Sequence, residues 1–199
     1  HNNTLVIVTG KTNSGKTTQG KLLQEKFFPN ARCADTGDIV RKYLTSQDVT
    51  TDDKLLYESG GIINPERTVS LWQAYLKKAF DADRMIILSG SPRSTYEASA
   101  IIAECRERNY TIRCLFIDIS DDEAIRRMTE RNKTSGRTDT LTKEAIQNKL
   151  YQSIRVGNAI RVFQNNTVEI QYIDGIGELS EITGRLHLAS KKKKIVQVG

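Results

Sequence analysis

The segment Gly10-Lys11-Thr12-Asn13-Ser14-Gly15-Lys16-Thr17 carries the clearest chemistry in this chain. It fits the pattern G-x-x-x-x-G-K-[ST], with the apolar run Leu5 to Val8 before it and a helical pattern after it. Its glycines let the loop turn backbone N–H groups inward, where they cradle a polyphosphate. Lys16 adds a point charge, Thr17 offers a hydroxyl to magnesium, and the helix N-terminus adds a partial positive charge. Asn13, Ser14, Gly15, Lys16, Thr17 and Thr18 are therefore the expected contacts of a nucleoside triphosphate.

Such a loop must be held by a strand and a helix, and the rest of the chain supplies that pattern. Apolar, β-rich segments occur at Leu5 to Val8, Met85 to Leu88, Ile112 to Ile117 and Val168 to Ile173, with a weaker one around Cys33. Helical spacing separates them, as in Ala98, Ile101, Ile102 and Cys105, or Ile146, Leu150 and Ile154. Continuous apolar strands alternating with helices predict an α/β fold with a parallel sheet covered on both faces. Two stretches depart from the alternation. Residues 36–80 read as a helical insertion, and residues 131–140 as a short, polar, mobile loop. Both follow strand ends, where α/β proteins bind ligands, so both are expected covers for the site.

Composition narrows the class. A chain of 199 residues suits one domain, and 38% hydrophobic with 27% charged residues is an ordinary soluble balance. No apolar run approaches membrane-spanning length and no signal peptide opens the sequence, so neither a membrane nor secretion is expected. His1 in place of an initiator methionine suggests a tag remnant or a segment of a larger protein. The net charge is +6, of which Lys191 to Lys194 contribute four. That run, in a basic tail over residues 191–199, reads as a solvated end, with nucleic acid or an anionic membrane surface as the other reading. Nucleic acid is not the expected partner. Cys33, Cys105 and Cys114 show no C-x-x-C spacing and read as reduced thiols of a cytoplasmic protein, with no zinc site and no disulfide framework.

Several motifs in order resemble the adenylate kinase (nucleoside monophosphate kinase) family in its short-lid form. Gly15-Lys16-Thr17-Thr18-Gln19 resembles the family's G-K-G-T-Q, and Asp35-Thr36-Gly37-Asp38 followed by Arg41 resembles S-T-G-D-x-x-R. Gly90-Ser91-Pro92-Arg93 resembles G-[FY]-P-R. Arg127, Arg131 and Thr134-Ser-Gly-Arg137-Thr-Asp139 resemble the lid segment, and Asp174-Gly175 the loop that cradles the ATP base. The resemblance spans nearly the whole chain. It implies a P-loop NTPase-type sheet of five parallel strands, a monophosphate-binding helical insert over 36–80 and a lid over 131–140. The implied activity is reversible transfer of the γ-phosphoryl group of Mg·ATP to a nucleoside monophosphate, by a monomer.

Roles carried over by motif place Arg41, Arg93, Thr36, Glu97 and Arg137 on the monophosphate and Arg127 against the ATP base. Lys16, Arg93, Arg131 and Arg137 become the catalytic group, and Thr17 the magnesium residue. The chemistry agrees with this set. Phosphoryl transfer requires two anionic substrates held in line, and fixed guanidinium forks reduce their repulsion.

Four positions depart from the family pattern. Ser89 stands where an acidic residue usually organises hydrated magnesium, which predicts weaker metal binding and slow turnover. Glu97 stands where a glutamine faces the monophosphate base. An ionised glutamate accepts but cannot donate, which suits guanine's donor edge; the other reading turns Glu97 to solvent. AMP is the first expectation and GMP its competitor. Lys149 stands near a usual arginine, and Thr140 replaces a usual aspartate after the lid. The alternative function is a catalytically weak or inactive nucleotide-sensing module within a larger protein. Some other small-molecule kinase or a nucleic-acid-linked NTPase would share the first loop but would not explain the later motifs together.

Overall fold

The computed structural model describes residues 3–58, 63–82, 85–135 and 143–192. Five parallel strands, β1 Asn3–Gly10, β2 Arg32–Asp35, β3 Met85–Ser89, β4 Tyr110–Asp118 and β5 Ile170–Asp174, form one sheet in the order β2-β3-β1-β4-β5. This is the parallel α/β sheet expected from the strand–helix alternation, and the P-loop NTPase type that the resemblance implies. Around the strands run helices α1 Lys16–Phe27, α2 Thr36–Leu44, α3 Thr51–Glu58, α4 Pro65–Ala82 and α5 Thr95–Glu107. Helices α6 Asp121–Ser135, α7 Lys143–Asn165 and α8 Leu179–Lys191 complete the described elements.

Side-chain alternation explains why β1 is central. Leu5 and Ile7 join one core cluster with Ile86, Leu88, Trp72, Ile101 and Phe163; Val6 and Val8 join the other with Ile87, Leu115, Leu23, Ile182 and Leu186. The first cluster is closed by α4, α5 and α7, the second by α1 and α8. A strand buried on both faces must be apolar at every position, as Leu5 to Val8 are. Each such side chain contributes roughly 1.5–3 kcal/mol by leaving water.

Connections leave β1 and β4 toward opposite edges of the sheet, and ligands of open α/β sheets bind at the carboxyl ends beside such a reversal. Three segments meet there: the loop after Gly10, the β2–α2 junction at Asp35, and the β3–α5 turn, which contains a cis Ser91–Pro92 bond. Asp35 is the N-cap of α2, its side chain accepting from the Asp38 N–H at 2.9 Å; Ser94 caps α5 by accepting from the Glu97 N–H at 3.1 Å.

Two boundaries differ from the sequence reading. Helix α6 continues to Ser135, so the stretch read as a loop from Arg131 begins as helix. Acidic residues in its first turn and Lys133 in its last suit the helix dipole. Strand β5 begins at Ile170, because the Val168 N–H turns back to the Phe163 carbonyl at 3.0 Å. Among the described residues, no helix is long and apolar enough to cross a membrane.

Candidate active site

The phosphate loop is built for an anion. Gly10, Asn13 and Gly15 have φ of 147°, 64° and 87°, turning the chain so that it enters α1 directly. A Cβ on Gly10 would lie 2.4 Å from the Ile117 carbonyl oxygen, which excludes any other residue there. Helix α1 has no side-chain cap and no acidic residue in its first turn. Its N-terminal N–H groups and dipole thus face the loop with no carboxylate from the helix's own first turn to compete. Ser14 Oγ is buried without a hydrogen-bond partner, and Lys16 Nζ donates to the Lys11 carbonyl at 3.1 Å within the same loop. A phosphate oxygen would satisfy both groups.

Arg127 joins the loop to its surroundings. From α6 its Nη2 donates to the Gly175 carbonyl at 2.7 Å, Nη1 to the Ser14 carbonyl at 3.5 Å, and Nε to Glu123 at 2.6 Å. Hydrogen bonds from Arg126 and Arg127 hold the Glu123 carboxyl well below its usual range, at about 2. The Asp174-Gly175 turn is fixed in place by the Gly175 N–H bond to the Asp118 carbonyl at 2.9 Å. Beside the loop opens a cleft lined by Thr12, Asn13, Asp121, Ile125, Met128 and Leu150.

A second cluster, in which two arginines meet Asp35 and Asp38, lies at the same carboxyl edge of the sheet. The position a Gly37 Cβ would occupy is 3.2 Å from Arg41 Nη1, 3.3 Å from Arg93 Nη2 and 2.9 Å from Asp35 Oδ1. The missing side chain is what lets two guanidinium groups from different elements meet. Arg93 is oriented by Nε donating to the Gly90 carbonyl at 2.8 Å, and Arg41 is paired with Asp38. Thr36 is buried beneath them, its hydroxyl 2.5 Å from Ser91 Oγ.

Glu97 is not turned to solvent. It is 1% exposed, its Oε1 accepting from Ser91 Oγ and its Oε2 from the Arg93 N–H, both at 2.5 Å. Burial pushes its carboxyl above the usual range, against the lowering effect of those two hydrogen bonds.

The expected site residues therefore fall into groups. Asn13 to Thr18 and Arg127 gather at the loop, and Thr36, Arg41, Arg93 and Glu97 gather at the second cluster. Arg131 is exposed on α6, one helical turn after Arg127. Arg137, Asp139 and Thr140 lie outside the described residues, as does the side chain of Lys149.

Asp35 is the residue that motif reading passed over. Its carboxylate is 7% exposed, and Oδ2 accepts from Thr17 Oγ1 at 2.8 Å and from Ser89 Oγ at 2.9 Å. A signal was present: Asp35 stands where the resemblance expects serine, and Ser89 where it expects an acid. Thr17 and Asp35 together are hard oxygen donors. Among the described residues no group of three or more His, Cys, Asp or Glu could enclose a metal. That donor set fits magnesium, which keeps most of its waters and is held through one or two carboxylates plus substrate phosphate.

The chain is similar to known proteins over most of its length. Residues 9–147 match the family described as AAA domain. The chain is similar to adenylate kinases of Flavobacterium psychrophilum, 26% identical over 91% of this chain and 95% of the relative, and of Dehalococcoides mccartyi, 29% identical over 96% and 95%. An adenylate kinase of Bacteroides fragilis is 26% identical over 89% of this chain and 93% of its own.

Proposed function

We propose that this chain, which belongs to the family described as AAA domain and is similar to adenylate kinases along nearly its whole length, reversibly transfers the γ-phosphoryl group of Mg·ATP to a nucleoside monophosphate. The observation that supports this most is the meeting of Arg41 and Arg93 at Gly37, on the same sheet edge as an uncapped α1 N-terminus. One anion loop suits any nucleoside triphosphatase. A second pair of guanidinium groups suits a second anion facing the first.

In this reading the ATP phosphates lie in the loop, accepting from its N–H groups and from Ser14 Oγ. Lys16 exchanges the Lys11 carbonyl for a phosphate oxygen and follows the transferring group. Thr17 would hold magnesium, which when bound would supply positive charge to the phosphates. Arg41, Arg93 and the Thr36 pocket hold the monophosphate, with guanidinium forks matched to phosphate oxygens. Arg131 and Arg137 close over the junction as part of a lid over 131–140, which excludes water and limits hydrolysis. The 36–80 helices form the monophosphate insert. Holding both substrates in line can supply roughly 7–11 kcal/mol of the barrier reduction. No covalent intermediate is needed.

Base choice follows from Glu97. It is buried, with its oxygens turned to Ser91 and the Arg93 N–H rather than presented to a base's donor edge, which supports AMP ahead of GMP. Three free cysteines, two of them buried, suit a reducing compartment and support a cytoplasmic location.

The test is a coupled ADP-release assay with Mg·ATP against AMP, GMP, CMP, UMP and dTMP. The reading expects AMP to give the fastest release. ADP release no faster with any monophosphate than with Mg·ATP alone contradicts it and leaves the nucleotide-sensing alternative.

A further inference from the structure

Asp35 and Ser89 are partners across the β2–β3 ladder, so their side chains issue at the same level from adjacent carboxyl ends. Either position can deliver a carboxylate to the space beside Thr17. In this chain the carboxylate comes from β2. Resting on the proposed nucleotide site, we infer that Asp35 is the residue that holds the magnesium of Mg·ATP, in place of an acid at the end of β3.

Hydrogen-bond directions carry the inference. A threonine hydroxyl has one proton and two lone pairs. Thr17 Oγ1 gives its proton to Asp35 Oδ2, so its lone pairs face away from Asp35 and are free to ligate a cation. Ser89 gives its proton to the same oxygen. Asp35 thus orients both hydroxyls and is itself the negative charge beside the cation, the arrangement by which outer residues tune a metal site.

Charge placement agrees. Asp35 is almost fully buried, and a buried carboxylate is costly without a counter-charge. The ion pair it makes, to Arg41 at 3.9 Å, lies on the Oδ1 side, where the Asp38 N–H also donates. The Oδ2 side meets neutral hydroxyls from the phosphate loop and β3. A divalent cation at Thr17 supplies the missing positive charge.

The competing account makes Asp35 only the N-cap of α2. Asparagine and serine also cap helices well, so Asp35→Asn and Asp35→Ser separate the two roles while keeping the fold. The carboxylate can then be returned to β3 with Asp35→Ser/Ser89→Asp. Ser89 is fully buried against Gly20 of α1, where an added Cβ would lie 3.1 Å from Ser89 Cβ, so the melt of the double variant is compared with the wild type to check that the fold is kept.

The experiment uses Mn2+ as the metal probe and electron paramagnetic resonance to measure its affinity for the protein·ATP complex, alongside ATP binding in EDTA. Asp35→Asn and Asp35→Ser should weaken Mn2+ binding about tenfold or more while ATP binding in EDTA is kept. The exchanged double variant should regain most of the lost affinity. Mn2+ affinity unchanged in Asp35→Asn overturns the assignment of the metal to Asp35 and leaves the nucleotide site intact. Absence of ATP binding by the wild-type chain overturns the nucleotide site itself.

Discussion

Glu97 Oε1 accepts the Ser91 hydroxyl at 2.5 Å, and this bond sets the direction of a short chain of hydroxyls in the monophosphate cluster. Because Ser91 gives its proton to Glu97, the Thr36 hydroxyl 2.5 Å from Ser91 must give its own to Ser91. Thr36 then presents only lone pairs to whatever lies above it. Glu97→Gln can reverse the chain, with the amide donating to Ser91 and the Thr36 proton released. This variant should alter the monophosphate KM and the AMP to GMP ratio while leaving the ATP KM unchanged. An unchanged monophosphate preference would remove Glu97 from specificity.

The same carboxyl gives a pH signature. Burial raises the folded value of Glu97 above the ordinary 4.5, so the folded chain holds its proton to higher pH than the unfolded chain does. The wild-type contribution is fully present below 4.5 and declines as pH rises through the folded value. Urea unfolding of the wild type and Glu97→Gln between pH 4 and 8 should show the variant gaining relative stability as pH rises. A difference independent of pH contradicts the assignment.

Gly37→Ala isolates the meeting of the two arginines. Alanine favours a helix by roughly 1 kcal/mol over glycine, yet its methyl would press on Arg41, Arg93 and Asp35. Thermal stability should change little while the monophosphate KM rises about tenfold, the scale of one charge-assisted hydrogen bond. A melt lowered by many degrees would instead mean that the methyl disturbs the α2 start as a whole.

Arg93→Lys tests the fork itself. Lysine keeps the charge but loses both the Nε bond to the Gly90 carbonyl and two-point contact with phosphate. We expect a monophosphate KM raised about tenfold or more with the ATP KM within about twofold. Equal losses for both substrates would move Arg93 to the shared phosphate junction.

The parts of the site legible in the sequence are those made by neighbours in the chain. Gly10 to Thr17 forms its cradle from consecutive residues, so the pattern alone carries the geometry. Arg41 and Arg93 were found through their motifs, but their meeting depends on β2 lying beside β3 and on the empty side of Gly37. Asp35 was not found. Its bonds to Thr17 and Ser89 span 18 and 54 residues and exist only because the strand order brings three carboxyl ends together. Glu97 is singled out by its motif position, but neither reading of it includes the Ser91 hydroxyl and Arg93 N–H that engage its oxygens. Helix α6 runs past its expected end because the polar composition of Arg131 to Ser135, read as a loop, is equally that of a final helical turn.

The most direct measurement follows the phosphoryl group itself. ATP labelled at the γ-phosphate is incubated with AMP and Mg2+, and the products are separated. The account predicts label in ADP formed from AMP, and a fall of at least about a hundredfold for Lys16→Ala, whose melt should match the wild type. Label recovered as inorganic phosphate whether or not AMP is present, or wild-type transfer by Lys16→Ala, would contradict it.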